Sequence, residues 1–131
     1  MKYLLDTVVW VWSVHSAERI NKVGFDILQS GDEEVYFSAA SIWELSIKLR
    51  LGKLSFPELP ARYIPKRLGQ QGIRMLSVTP THALAVYDLP PHHTDPFDRL
   101  LIAQASVEQL VILTADRAFE KYQAEVVWCG R

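Results

Sequence analysis

The chain alternates between short apolar runs and longer stretches with helical spacing. Tyr3-Leu4-Leu5 ends at Asp6, and Val35-Tyr36-Phe37 ends at Ser38. Both read as buried strands, because a short run that is apolar throughout fits a strand covered on two faces. Ile73 to Val78, Leu110 to Leu113 and Val126-Val127-Trp128 supply three more. Between them, Ser16 is expected to cap a helix running through Ser30, and Ser38 another with Ile42, Leu45 and Leu49 on one face. Gly52 stops the second. Asp95-Pro96 opens the strongest helix: Asp suits the cap, Pro the first turn, and Leu101, Ile102 and Ala105 continue an apolar face. Leu59 to Gln71 and Pro80 to Tyr87 are weaker helical segments. Strands separated by crossover helices predict an α/β fold with a central parallel sheet covered on both faces.

In such sheets ligands bind beyond the carboxyl ends of the strands. Asp6, Ser38, Thr114 and Asp116 all fall at those ends, which turns the fold expectation into a site expectation. Glu44 lies on the helix opened by Ser38, and Asp98 lies in the first turn of the helix opened by Asp95. Taken singly, each has an ordinary structural role. Asp6 can cap a helix starting at Thr7, Glu44 can sit on a surface, Asp98 can answer the helix dipole, and Asp116 can cap a helix running to Tyr122. Four carboxylates aimed at one crevice are not explained that way. They repel one another and raise each other's pKa unless a positive charge joins them, and a hard dication such as Mg²⁺ or Mn²⁺ is the natural partner. Such an ion activates water and stabilises charge on a phosphoryl oxygen, so the reaction class expected is phosphodiester hydrolysis.

Length and charge narrow this further. A chain of 131 residues fits one domain, 1–131, able to bury roughly two thirds of its unfolded surface. With 49% apolar and 22% charged residues it is expected to be globular. Its formal net charge of −1 gives no general attraction for nucleic acid, so phosphate contacts must be local. Lys48, Arg50, Lys53, Lys66, Arg67 and Arg74 are the candidates, each equally readable as a solvated surface charge. Trp10, Trp12 and Trp43 can stack on bases, though core or interface positions are the commoner use. Cys129 is the sole cysteine, which excludes an internal disulfide and a Cys-rich zinc site and suits a reducing cytoplasm. Asp6 interrupts the N-terminal apolar stretch and no small-residue cleavage site follows, so no export signal is expected; no run is long enough to span a membrane.

Competing chemistries lack their residues. His92 and His93 beside Asp95 suggest a zinc corner, but no further His or Cys has ligand spacing. There is no Gly-x-Ser-x-Gly elbow and no glycine-rich phosphate loop. The haloacid-dehalogenase phosphatases also place an Asp after the first strand, but they require a second Asp where Val8 stands here.

Four blocks in order carry a resemblance: Leu4 to Thr7, Ser38 to Leu45, His93 to Ala105, and Leu113 to Asp116. Through them the chain resembles the PIN-domain family, and within it the VapC-type toxins of bacterial type II toxin–antitoxin pairs. The resemblance implies a three-layer α/β/α sandwich around a parallel sheet of four to five strands. It implies Mg²⁺- or Mn²⁺-dependent endoribonuclease activity, with Asp6, Glu44, Asp98 and Asp116 as metal-binding and catalytic residues. The hydroxyls of Thr7, Ser38 or Thr114 would support them, and Asp95 competes with Asp98 for the ligand position in its segment. The partners implied are an RNA substrate, a cognate antitoxin, operator DNA reached only through the antitoxin, and a second copy in a homodimer. The alternatives are a PIN nuclease of RNA processing or repair, and a non-catalytic PIN-like module acting through an antitoxin–operator complex.

Overall fold

A computed structural model describes residues 1–92 and 94–131. Five strands form one parallel sheet: β1 (Lys2–Leu5), β2 (Glu34–Ser38), β3 (Arg74–Leu76), β4 (Val111–Thr114) and β5 (Val126–Trp128), in the order β3-β2-β1-β4-β5. The first strand therefore lies in the middle, with Tyr3 opposite Val35 on one side and Val111 on the other.

Parallel neighbours require crossovers, and among the described residues α1 (Thr7–His15), α2 (Lys22–Gln29), α3 (Ala39–Arg50), α4 (Pro60–Gln71), α5 (Pro80–Ala85) and α6 (Pro96–Glu108) provide those from β1 to β4, while a 3-10 helix lies between β4 and β5. Alternate strand residues feed two cores. Tyr3, Leu5, Phe37 and Leu113 pack with Trp10 of α1 and Tyr63, Ile64 and Leu68 of α4. Leu4 and Ile112 point the other way, onto Leu101, Ile102 and Ala105 of α6. The layers are thus helix, sheet, helix, as expected. Among the described residues no helix is long and apolar enough to cross a membrane.

Three expectations change in detail. The helix expected from Ser16 to Ser30 is divided. Ser16 makes no side-chain cap; a single 3-10 turn covers Ala17–Arg19, and α2 begins after Asn21, whose side chain accepts from Gly24 N. The reason is tertiary: Asn21 Nδ2 also donates to the carbonyls of Trp128 at 2.8 Å and Gly130 at 3.2 Å, fixing the chain to the end of β5. Gly24 follows because α2 packs close there, where a Cβ would lie 2.8 Å from Cys129 Sγ. The strand expected from Ile73 to Val78 shortens to Arg74–Leu76, since it pairs only with β2 before Thr79 caps α5. The segment from Asp116 toward Tyr122 is a 3-10 helix, Arg117–Lys121.

Trp10 is wholly buried, held by its indole N–H to Gln71 Oε1 at 2.8 Å and packed against Phe37 with the rings tilted and centroids 5.2 Å apart. It is therefore core, and the exposed aromatic surface of this protein lies elsewhere.

Candidate active site

The carboxyl ends of β1 and β4 deliver Asp6 and Asp116 to the same crevice. Asp6 follows β1, and its Oδ1 accepts the Thr7 N–H at 2.7 Å, so it does cap α1. Capping and a site role coincide, because Oδ2 remains directed toward the neighbouring strand, where it accepts the Thr114 hydroxyl at 2.8 Å. Thr114 in turn accepts the Asp116 N–H at 3.0 Å, and Asp116 Oδ1 caps the next turn through Ala118 N. A buried hydroxyl thus joins two of the acidic residues.

Of the other hydroxyls, Ser38 is fully buried and caps α3 through Ala40 N, a structural duty. Thr7 Oγ1 donates at 2.7 Å to Ser41 Oγ, a residue that sequence reasoning missed, and this bond ties α1 to α3 beside the crevice. Only the alternation of small residues in Ser38-Ala39-Ala40-Ser41 hinted that two helices approach so closely there.

Asp6, Glu44, Asp98 and Asp116 line one cleft of about 360 Å³, and Asp95 joins them at its edge. Glu44 is 9% exposed; its Oε2 receives Lys48 Nζ from one turn further along α3 at 3.0 Å, while Oε1 is buried and has no hydrogen-bond partner among the described residues. Asp95 is exposed and committed to capping α6, accepting from Phe97 N at 2.9 Å and Asp98 N at 3.3 Å.

The electrostatics of the cleft report a shortage of positive charge. Burial lifts the Asp98 carboxyl to about 8, and the charges of Asp6, Asp95, Glu44 and Asp116 push the same way. Burial also lifts Asp6 to about 6; the bonds from Thr114 and Thr7 oppose the rise, and Glu44 and Asp116 reinforce it. Two lysines, Lys48 and Lys53, line the same cleft. Of the other expected cations, Lys66 pairs with Glu58, Arg74 pairs with Glu34, and Arg67 lies over the Tyr63 ring.

Among the described residues no three His, Cys, Asp or Glu side chains are gathered into a ready-made cage of protein ligands. An open cleft flanked by carboxylates is still the setting that suits Mg²⁺, which keeps several waters and takes only one or two carboxylates directly. The unpartnered Oε1 of Glu44 and the raised pKa values of Asp6 and Asp98 are what a missing cation would answer. The residues fit such an ion. For zinc the donor set is wrong: His92 packs edge-to-face on Tyr122 with centroids 5.0 Å apart, and His93 lies outside the described residues.

The PIN domain family matches residues 3–125. This chain belongs to the PIN domain family. The matched span contains all four cleft carboxylates, from Asp6 to Asp116. Over 56 residues this PIN protein is 45% identical to ribonuclease VapC16 of Mycobacterium tuberculosis, and that overlap takes in 43% of this chain and 40% of the relative. Its fold is shared with a chain of the VapBC2 complex of Rickettsia felis bound to a promoter DNA fragment. That superposition has a TM-score of 0.76 at 14% identity and covers 98% of this chain and 99% of the other. FitAcB of Neisseria gonorrhoeae aligns with a TM-score of 0.63 at 24% identity, covering 96% of each chain. At these identities the two structures speak for the PIN fold.

Proposed function

We propose that this PIN protein is a divalent-metal-dependent endoribonuclease and the toxin of a type II toxin–antitoxin pair. The observation that carries the reading is the cleft itself, where carboxylates from the ends of β1 and β4 and from α3 and α6 converge, with the Asp6 and Asp98 carboxyls pushed upward. Asp6, Glu44, Asp98 and Asp116 would hold Mg²⁺ or Mn²⁺. When bound, the ion supplies an activated water and stabilises negative charge on the phosphoryl oxygen.

The remaining work falls to the chain. Thr114 and the start of α1 hold Asp6 by two hydrogen bonds, one on each oxygen, so its carboxylate is fixed before any ligand arrives. Lys48 restrains one oxygen of Glu44, and the other is buried without a hydrogen-bond partner among the described residues. Asp98, whose carboxyl burial and the neighbouring carboxylates lift to about 8, would lose its proton more readily beside a bound cation. Lys48 and Lys53 stand on the cleft wall as local contacts for the RNA phosphates.

The toxin role and the antitoxin partner extend the likeness to ribonuclease VapC16 and to the VapBC2 complex bound to promoter DNA, while action on operator DNA only by way of that partner, a cytoplasmic setting and a homodimer are proposed from the resemblance of the sequence to VapC-type toxins. They draw further support from large apolar side chains left open to solvent, among them Leu59, Leu84 and Tyr87, which suit burial against a partner. The whole chain, 1–131, is taken as one working unit. The test is cleavage of RNA by the purified chain with Mg²⁺ or Mn²⁺, together with growth arrest on expression that is relieved by the protein encoded beside it. Absence of RNA cleavage with either metal would overturn the reading.

A further inference from the structure

A cleft walled by five carboxylates and two lysines, on a chain of net charge −1, holds a polyanion poorly by charge alone. An RNA chain brought there needs a handle that does not depend on charge. Stacking of an unpaired base on an aromatic ring is such a handle.

The four tryptophans differ sharply in their availability. Trp10 is 0% exposed in the core, Arg19 lies 5.7 Å above the Trp12 ring, and Arg117 lies 3.7 Å above the Trp128 ring. Trp43 is 62% exposed. Its ring meets Phe97 edge-to-face, with centroids 5.1 Å apart and planes at 75°. In that geometry Phe97 covers at most one face of the indole, so at least one face stays open to a planar ligand, while the contact holds the ring in place.

Position ties this pair to the cleft. Trp43 directly precedes Glu44 on α3, and Phe97 directly precedes Asp98 on α6, so each ring is anchored about 3.8 Å of backbone from a cleft carboxylate. The pair bridges the two helices that flank the opening. Lys48 lies one turn along from Glu44 on the same helix, and Lys53 in the turn that follows it.

We propose that Trp43, braced by Phe97, is the platform on which an unpaired nucleobase of the RNA stacks while its phosphate enters the acidic cleft. The proposal rests on the ribonuclease reading above and assigns a residue for gripping the base. A competing occupant is a second protein surface, since Ile47 and Leu51 continue the exposed row from Trp43 at four-residue steps. The brace from Phe97, the residue before Asp98, and the lysines on the cleft wall favour the nucleotide.

The experiment measures binding of a short single-stranded RNA in EDTA by fluorescence anisotropy of a dye on the RNA end, for the wild type, Trp43→Ala and Trp43→Phe. A matching RNA with abasic positions is included. Trp43→Ala is expected to weaken binding about tenfold, by the same factor at about 50 mM and about 200 mM salt, and Trp43→Phe to retain most of the affinity. The abasic RNA should bind the wild type as weakly as the intact RNA binds Trp43→Ala. That comparison uses the unaltered protein, so it stands even if a variant folds badly. Equal affinity for intact and abasic RNA overturns the platform, as does a Trp43→Ala variant that binds RNA normally but sediments as a smaller species. Failure of the two proposals is separable. If the wild type cleaves RNA but Trp43→Ala binds unchanged, only the platform falls; if RNA stacks on Trp43 and is not cleaved with Mg²⁺ or Mn²⁺, only the nuclease reading falls.

Discussion

Thr114 donates its hydroxyl to Asp6 across 2.8 Å, joining residues 108 positions apart in the chain at adjacent strand ends. The same oxygen accepts the Asp116 N–H, so one small side chain aligns two acidic residues. Thr114→Val keeps the shape and deletes both bonds. It should cost about 1–3 kcal/mol in urea unfolding at pH 7, because a buried carboxylate oxygen and a backbone donor lose their partner. RNA cleavage should fall as well. A variant as stable and active as the wild type would show that the hydroxyl does not organise the site.

The metal-free protein should lose stability as pH rises from about 4 to about 8. Asp98 keeps its proton to about 8 in the folded chain, against 3.8 for an ordinary aspartate, so between those values the native state binds more protons than the unfolded state. Stability then falls with pH, and it levels off once both states are ionised. Asp6 adds to the slope between 3.8 and about 6. Denaturant unfolding in EDTA at pH 5 and pH 8 measures the drop, and Asp98→Asn should remove the largest share of it.

Asp95 and Asp98 should separate stability from chemistry. Asp95→Ala removes the α6 cap and should cost roughly 0.5–2 kcal/mol while most cleavage survives. Asp98→Asn relieves repulsion and should leave the metal-free protein equally or more stable at pH 7, yet lower the cleavage rate by about two orders of magnitude or more. If Asp95→Asn is the inactive variant and Asp98→Asn cleaves normally, the ligand of this segment has been misassigned.

Asp6→Asn should behave differently from Asp98→Asn. The amide can keep the cap to Thr7 N, but its NH₂ then meets a Thr114 hydroxyl that now donates to Asp6. Relief of repulsion is offset by that mismatch, so the variant should be inactive without a gain in melting temperature. A clear rise in metal-free melting temperature would contradict the bonding described here.

Mg²⁺ or Mn²⁺ should stabilise the wild type, by about 2.7 kcal/mol when present at 100 times its dissociation constant. EDTA should abolish both the stabilisation and RNA cleavage. The shift in melting temperature should shrink in Glu44→Gln, because Glu44 Oε1 is the cleft carboxylate oxygen that is buried without a hydrogen-bond partner among the described residues.

Much of this was legible in the order of residues. Leu4-Leu5-Asp6 and Leu113-Thr114 announce strands that end in polar groups, and Asp95-Pro96 announces α6, because those signals are local. Helix α1 was legible only as a cap at Asp6: Val8-Val9-Trp10-Val11 favours strands by propensity, and the need to cross from β1 to a parallel β2 makes it a helix. Asn21 gave no sign that it would divide the next helix, since its partners are the carbonyls of Trp128 and Gly130, far along the chain. In the site, carboxylates were visible one by one. The Thr114 link, the Lys48 restraint on Glu44 and the Trp43–Phe97 pair were not, because each depends on which faces the helices turn toward each other.

The central place of β1 governs when the molecule can act. Its Leu5 pairs with Leu113, so the first strand synthesised waits for one of the last, and Asp6 meets Thr114 only when nearly the whole chain is made. Pairings this distant form late, since the loop must close before any contact compensates for it. A nascent chain arrested before β4 carries Asp6, Glu44 and Asp98 but lacks the strand that brings β1 and Asp116 together. Under the ribonuclease reading proposed above, that strand order acts as a timer: the cleft is incomplete until β4 and Asp116 have been made.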